Sequence, residues 1–281
     1  IKNLRSLNIS NTAIESLAAL TNLSNLKDLR CEDTKISNLS PLVNNKNLEI
    51  VYADNSEVSK ETVLYLKSKI PECSIIYQST NLNMWWNSLD EAWLSIFINN
   101  YKLSENPNRE ELQFLVDSKK LEIAEASGIN NLEVLSVFDL LEDVKISNAG
   151  ITDVSAISFL PNVRSLQLPN NPIYDIAPLS RMNKLKLLNL ENTSIEDLEP
   201  LAPLSQLESL NIAGTKIKSI KYMDALYNLQ SLSLNNTRIK SLKQLESLAK
   251  LKELKCYNTS IKSSKIEEFK ASHPQCDVTY Y

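Results

Sequence analysis

Three glycines and a single histidine in 281 residues leave little material for two common kinds of active site. Phosphate-cradling loops need glycine where backbone N–H groups converge, and metal centres need clustered His and Cys, whereas His273 has no companion histidine. No apolar run approaches the roughly 20 residues of a bilayer-spanning helix, so no membrane span is expected. A net charge of −4 gives no general attraction to nucleic acid or anionic membrane, local patches aside, and nucleic acid is not expected as a partner. No nucleophile stands beside a base in a catalytic spacing, and the paired acids Glu110-Glu111 and Glu267-Glu268 read as solvated helix faces. His273, in His273-Pro-Gln-Cys276, fits a helix end better than acid–base work. No enzyme, cofactor or metal is expected on these grounds. The four cysteines lack the density of a disulfide framework. Cys31 and Cys256 occupy aliphatic slots and read as small core residues, with a Cys256–Cys276 bridge in an oxidising compartment as the competing reading.

What the chain has instead is a period. Leu4, Leu26 and Leu48 are 22 residues apart, and the spacing returns at Leu141, Val163, Leu185, Leu207, Leu229 and Leu251. Within one unit Leu207, Leu210 and Ile212 alternate as a short strand, and Ile217, Ile220, Met223 and Leu226 then turn inward every third residue. This is the pattern of a leucine-rich-repeat solenoid, in which each coil buries its faces only against its neighbours. With so little glycine, the turns fall to residues such as Asn11, Asn148, Asn192, Asn236 and Asn258. The next position is Thr12, Thr34, Ser56, Thr193, Thr215, Thr237 and Thr259, with Asn171 as an exception. A hydroxyl there is expected to bridge neighbouring coils with less reach than an amide.

The repeats, including Ile36-Ser-Asn-Leu39-Ser-Pro-Leu42 and Ile195-Glu-Asp-Leu198-Glu-Pro-Leu201, resemble those of internalin-like bacterial leucine-rich-repeat proteins. The resemblance covers most of the chain and implies an α/β fold: a right-handed, curved solenoid with a parallel sheet on its concave side and extended or 3₁₀ segments on its convex side. It also implies a secreted or cell-surface protein. No signal peptide is visible, which keeps a cytoplasmic location as the alternative, while the lack of an initiator Met fits a leader removed before Ile1.

Residues 48 to 77 align without a gap on residues 251 to 280, an offset of 203 that matches Leu48 to Leu251, Pro71 to Pro274, Cys73 to Cys276 and Tyr77 to Tyr280. Each copy reads as a last strand, an amphipathic helix and a closing strand, the terminal cap that an array needs. Two modules are therefore expected, 1–79 and 80–281, the second with a helical N-terminal cap over about 84–118 and a C-terminal cap over about 261–281. Trp85, Trp86, Leu89, Trp93, Phe97 and Tyr101 follow helical spacing and are expected to cover the first coil of the second module. The competing reading is an aromatic docking patch for sugar or peptide, which requires several rings to be exposed. An irregular repeat with one extra residue follows. At Ile1 the chain opens in mid-coil, which suggests further repeats or a cap upstream.

Two surfaces are candidates for binding. Residues between the strand aliphatics point out of the concave sheet. The selected positions are Lys145, Gln167, Leu187, Asn189, Glu191, Asn211, Ser233, Asn235, Lys255 and Tyr257, and in the first module Asp28, Arg30, Glu32, Ile50, Tyr52 and Asp54 form a more acidic counterpart. The second surface is the flank after the strands, where Lys216 precedes Arg238, Lys218 precedes Lys240 and Lys262, and Lys221 precedes Lys243 and Lys265 at one-repeat steps. It suits an acidic partner or anionic glycan. The leading expectation is a non-enzymatic protein binder using the concave face. A carbohydrate-binding module and a structural spacer are the alternatives, and oligomeric state is not legible.

Overall fold

The computed structural model describes residues 3–125, 128–129 and 131–281, so the opening of the chain at Ile1 lies outside the described residues. Packing divides the chain into two units, Ile1–Leu89 with Phe97–Asp117, and Asp90–Ile96 with Ser118–Tyr281.

In the first unit, strands β1 (Ser6–Asn8), β2 (Asp28–Arg30), β3 (Ile50–Tyr52) and β4 (Ser74–Ile76) form a parallel sheet in chain order, with helix α1 (Lys60–Lys69) between the last two. Leu7, Leu29, Val51 and Ile75 stand in register. They face a core closed on the other side by 3₁₀ turns at Ala18–Leu20 and Ser40–Asn44. Helices α2 (Ser79–Asn87), α3 (Glu91–Tyr101) and α4 (Arg109–Val116) follow. Helix α4 opens with a capping box: Asn108 Oδ1 accepts from Glu111 N at 2.9 Å, and Glu111 Oε2 accepts from Asn108 N at 2.9 Å. Glu111 is thus a cap rather than a solvated face, and the Asn108 and Ser104 N–H groups hold its carboxyl below the usual carboxylate range.

The unit boundary falls inside α3. Helices α2 and α4 pack on each other, and α4 packs on β4, all in the first unit. Trp86 and Phe97 are buried there with centroids 6.5 Å apart, and half-buried Trp85 lies 5.7 Å from Phe97. Of the tryptophans only Trp93 belongs to the second unit, where it is buried. The compact units therefore differ from a division at residue 79 by most of the helical segment, because its apolar faces close over β4.

The second unit has eight parallel strands: β5 (Lys120–Ile123), β6 (Asp143–Ile146), β7 (Ser165–Gln167), β8 (Leu187–Asn189), β9 (Ser209–Asn211), β10 (Ser231–Ser233), β11 (Glu253–Lys255) and β12 (Asp277–Thr279). Lys120 pairs with Asp143 and Asp143 with Ser165, so the irregular repeat carries its extra residue between β5 and β6. Leu166, Leu188, Leu210, Leu232 and Leu254 line the core, opposed by 3₁₀ turns such as Ala177–Arg181 and Lys243–Leu245. Helix α5 (Ser263–Ser272) and β12 repeat α1 and β4 at the offset of 203 read from the sequence. His273 ends α5. It is buried and stacked on Phe269 at 4.1 Å, and its Nδ1 lies 3.2 Å from Phe269 O.

The turns show how the chain dispenses with glycine. Asn11, Asp33, Asn55, Asn148, Asn170, Asn192, Asn236 and Asn258 all take φ between 53° and 58°. Asn and Asp tolerate this left-handed region better than other residues with a Cβ. In one coil Gly214, at φ 68°, takes their place.

The following hydroxyls do not bridge coils as expected. Thr34, Thr193, Thr215 and Thr237 each donate to a carbonyl three residues back in the same coil, at 2.7 Å in every case. The hydroxyl is too short to reach across. Asn171 reaches: its Nδ2 donates to Ile146 O in the neighbouring coil at 2.9 Å, and its Oδ1 accepts from Ala149 N and Ile151 N at 3.1 and 3.2 Å.

The four cysteines are free and buried. Burial pushes the Cys31 and Cys73 thiols up to about 12, and those of Cys256 and Cys276 up to about 11. Because the thiolate is the reactive form, an aromatic disulfide reagent at pH 8 should label essentially none of them in the folded protein within minutes, and all four in denaturant. Only two after denaturation would reveal the Cys256–Cys276 bridge.

Candidate binding surface

The selected sheet positions come together by register. Lys145, Gln167, Asn189, Asn211, Ser233 and Lys255 form one unbroken row, and Leu187 lies between Ser165 and Ser209 in the row beside it. Strand pleating sends these side chains away from the core leucines, so most are half-buried against one another. Glu191 and Tyr257, just past their strands, stay accessible, while Asn235 is buried.

The two ends of the row are tied up internally. Lys145 and Lys120 each lie 2.9 Å from a Glu122 oxygen, and these bonds hold the Glu122 carboxyl down to about 2. At the other end Lys255 pairs with Glu253 at 2.8 Å, Asn235 Nδ2 donates to Ser233 Oγ at 3.1 Å, and Asn235 Oδ1 accepts from Tyr257 N at 3.2 Å. The middle is freer. Asn189 Oδ1 accepts from Glu191 N at 2.9 Å, and among the described residues its amide hydrogens have no protein acceptor. Asn211 Nδ2 donates to Glu191 Oε2 at 3.0 Å. Leu187, with Gln167 and Asn189 nearby in register, is thus the apolar centre of a polar patch.

The first unit's counterpart is occupied. Arg109, from α4, places Nη1 2.5 Å from Glu32 and 3.1 Å from Asp54. Its guanidinium lies 4.7 Å from the Tyr52 ring centroid, and that of Arg30 lies 4.1 Å from it. Ser79 N and Oγ also donate to Asp54, at 2.9 and 2.6 Å. The acidic surface read from the sequence is largely neutralised within the unit. The capping box gives away where α4 begins, but nothing in the sequence signals where Arg109 reaches.

All eight flank residues, Lys216, Lys218, Lys221, Arg238, Lys240, Lys243, Lys262 and Lys265, are exposed. Adjacent coils are bonded along this flank, with Lys216 N on Ile195 O at 3.1 Å and Arg238 N on Ile217 O at 3.2 Å. The sequence reading missed the exposed rings of Phe159 and of Tyr174, the latter two repeats before Lys218 at the same position of the coil. Phe159 borders a cavity of about 700 Å³ with Leu132, Glu133, Asp153 and Ala156. Among the described residues no cluster of His, Cys, Asp and Glu is arranged to hold a metal ion, and no helix is long and apolar enough to cross a membrane.

Stacked coils, one short strand each, define a class. The family of leucine rich repeats matches the chain in two copies, at residues 161–203 and 227–271, and the fold is that of a leucine-rich-repeat solenoid. Its fold is internalin-like. Among solved structures it is similar to an internalin (inlF) from Listeria monocytogenes, with 23% identity, a TM-score of 0.57, and coverage of 99% of this chain and 74% of that one. An internalin C2 of the same organism shares 20% identity over 89% of this chain and 80% of that chain, at a TM-score of 0.45. A leucine-rich-repeat protein of Leptospira interrogans shares 18% over 99% and 84%, also at 0.45. A search of curated proteins by sequence found no match.

Proposed function

We propose that the chain is a non-enzymatic recognition protein of bacterial origin that binds a protein partner through the sheet face of its second unit, in a secreted or surface-exposed setting. The observation that carries this reading is the central patch, where half-buried Leu187 lies among Gln167, Asn189 and Asn211 and, among the described residues, nothing accepts from the Asn189 amide hydrogens. An apolar centre with polar groups around it is what a protein interface requires of one partner. In this reading the two sheets belong to tandem modules, and the helical segment is structural. Sugar stacking on the tryptophans is disfavoured by the burial of Trp86 and Trp93.

The test is capture of surface proteins from candidate host cells by the intact protein and by Leu187→Arg/Asn189→Arg. Both positions face away from the core, so the fold should survive, as circular dichroism can verify. A captured partner should lose at least about 30-fold in affinity, equivalent to about 2 kcal/mol at a central contact. Equal binding by both proteins would refute the assignment of the sheet face.

A further inference from the structure

We propose that the flank of the last three coils is a second, independent binding site, for a linear polyanion whose repeating sulfate or carboxylate groups are carried on an extended polysaccharide.

The flank changes sign abruptly. In successive coils the equivalent turn position is Asp153, Asp175 and Asp197, then Ser219, Ser241 and Ser263. Either side chain can serve the local turn, since Asp153, Asp175 and Asp197 accept from Ser155 N, Ala177 N and Glu199 N, while Ser219 and Ser241 accept from Lys221 N and Lys243 N. The fold is thus indifferent to the exchange, and the charge is not. After the exchange Lys218, Lys240 and Lys262 succeed one another at one-repeat steps, flanked by Lys221 and Lys243. The column rises by roughly 5 Å per coil, the spacing of hydrogen-bonded strands.

Few of these cations are ion-paired. Among the described residues only Lys265 of the eight has an ion pair, at 2.6 Å from Glu268. Lys221 lies 4.5 Å from the Tyr222 ring centroid, a contact that leaves its charge in place. Elsewhere the molecule pairs lysines across coils, as Lys186 does with Glu208 at 2.8 Å. Solubility alone requires no such segregation, because mixed signs serve it equally. A depression of about 350 Å³ lies beside the column, lined by Lys240, Lys243, Lys265, Ser241, Phe269 and Ser272. Its carboxylates are Glu246 and Glu268, the latter held by Lys265. A row of lysine heads and aliphatic stems, repeated coil after coil, suits an extended sugar polymer bearing anions better than a compact single anion.

Binding of fluorescent heparin, alginate, inorganic polyphosphate and poly-glutamate to the intact protein would be measured at 50 and 200 mM salt. If about five cations are engaged, affinity for the polysaccharides should fall by about 100-fold over that range through counterion release. Lys218→Ser/Lys240→Ser/Lys262→Ser should weaken them by at least about tenfold with unchanged thermal unfolding, while Leu187→Arg/Asn189→Arg leaves them unaffected. That last arm separates this site from the proposed sheet face, whose own partner should be indifferent to the serine variant. Stronger binding of polyphosphate than of either polysaccharide would reassign the site to phosphate polymers. Binding of poly-glutamate alone would reassign it to an acidic protein, and no binding of any probe at 200 mM salt, or binding unchanged in the serine variant, would overturn it.

Discussion

Replacing Asp117 with alanine should destabilise the first unit by about 3–5 kcal/mol, among the largest effects expected of any single substitution in this chain. Asp117 follows α4 and forms a salt bridge with Lys67 of α1, whose side chain is only 6% exposed. Gln113 Nε2 also donates to Asp117 at 3.0 Å. Burial pushes the Asp117 carboxyl up, and the neighbouring Lys67 opposes that shift. Two buried charges satisfy each other at little net gain, whereas one left alone must be solvated by the protein interior. Lys67→Met should therefore cost about as much, and the double replacement Lys67→Met/Asp117→Leu should recover most of the loss. The chain's tryptophans lie at 85, 86 and 93, so fluorescence during urea unfolding reports the helical segment that this pair fastens. Additive losses in the double variant would show that the two charges do not act as a pair.

Asn171→Ala should cost about 2–5 kcal/mol in the second unit. The side chain is 1% exposed and serves five backbone groups: Ile146 O, Leu168 O and Pro169 O as donor, Ala149 N and Ile151 N as acceptor. Each buried group left without a partner carries a penalty of about 1–3 kcal/mol, only part of which relaxation and water recover. The preceding coil has Ala149 where others have Thr or Ser, so it supplies no hydroxyl of its own. By contrast Thr215→Val removes one bond, to Ile212 O at 2.7 Å, and should cost about 1 kcal/mol. Denaturant unfolding followed by circular dichroism tests the contrast. Equal costs at the two positions would mean that the amide does not join the coils.

The period alone made much of the fold legible. Leucines every 22 residues specify coils, and the self-match at offset 203 is met residue for residue by α1 against α5 and β4 against β12. The helical segment was harder. Its amphipathic spacing announces helices but not which unit they cover. One clue was available: β4 reads Ser-Ile-Ile where β12 reads Asp-Val-Thr, and Ile76 is buried, as a strand under α4 must be, whereas Thr279 is exposed. The candidate surfaces followed from strand alternation, yet their chemistry did not. Register told which residues are neighbours, not that Lys145 spends its charge on Glu122 or that Arg109 lies across the first sheet.

The sequence by itself determined a leucine-rich-repeat solenoid, its asparagine turns and the columns of side chains that its surface presents. These are consequences of local periodicity, which repeats because each coil meets the same neighbour one period away. Tertiary structure alone decided which charges remain free: Glu32 and Asp54 are claimed by a helix 55 to 77 residues distant, while among the described residues the flank column Lys218, Lys240 and Lys262 has no ion pair. A side chain's length and rotamer set such partnerships across gaps in sequence that no period records.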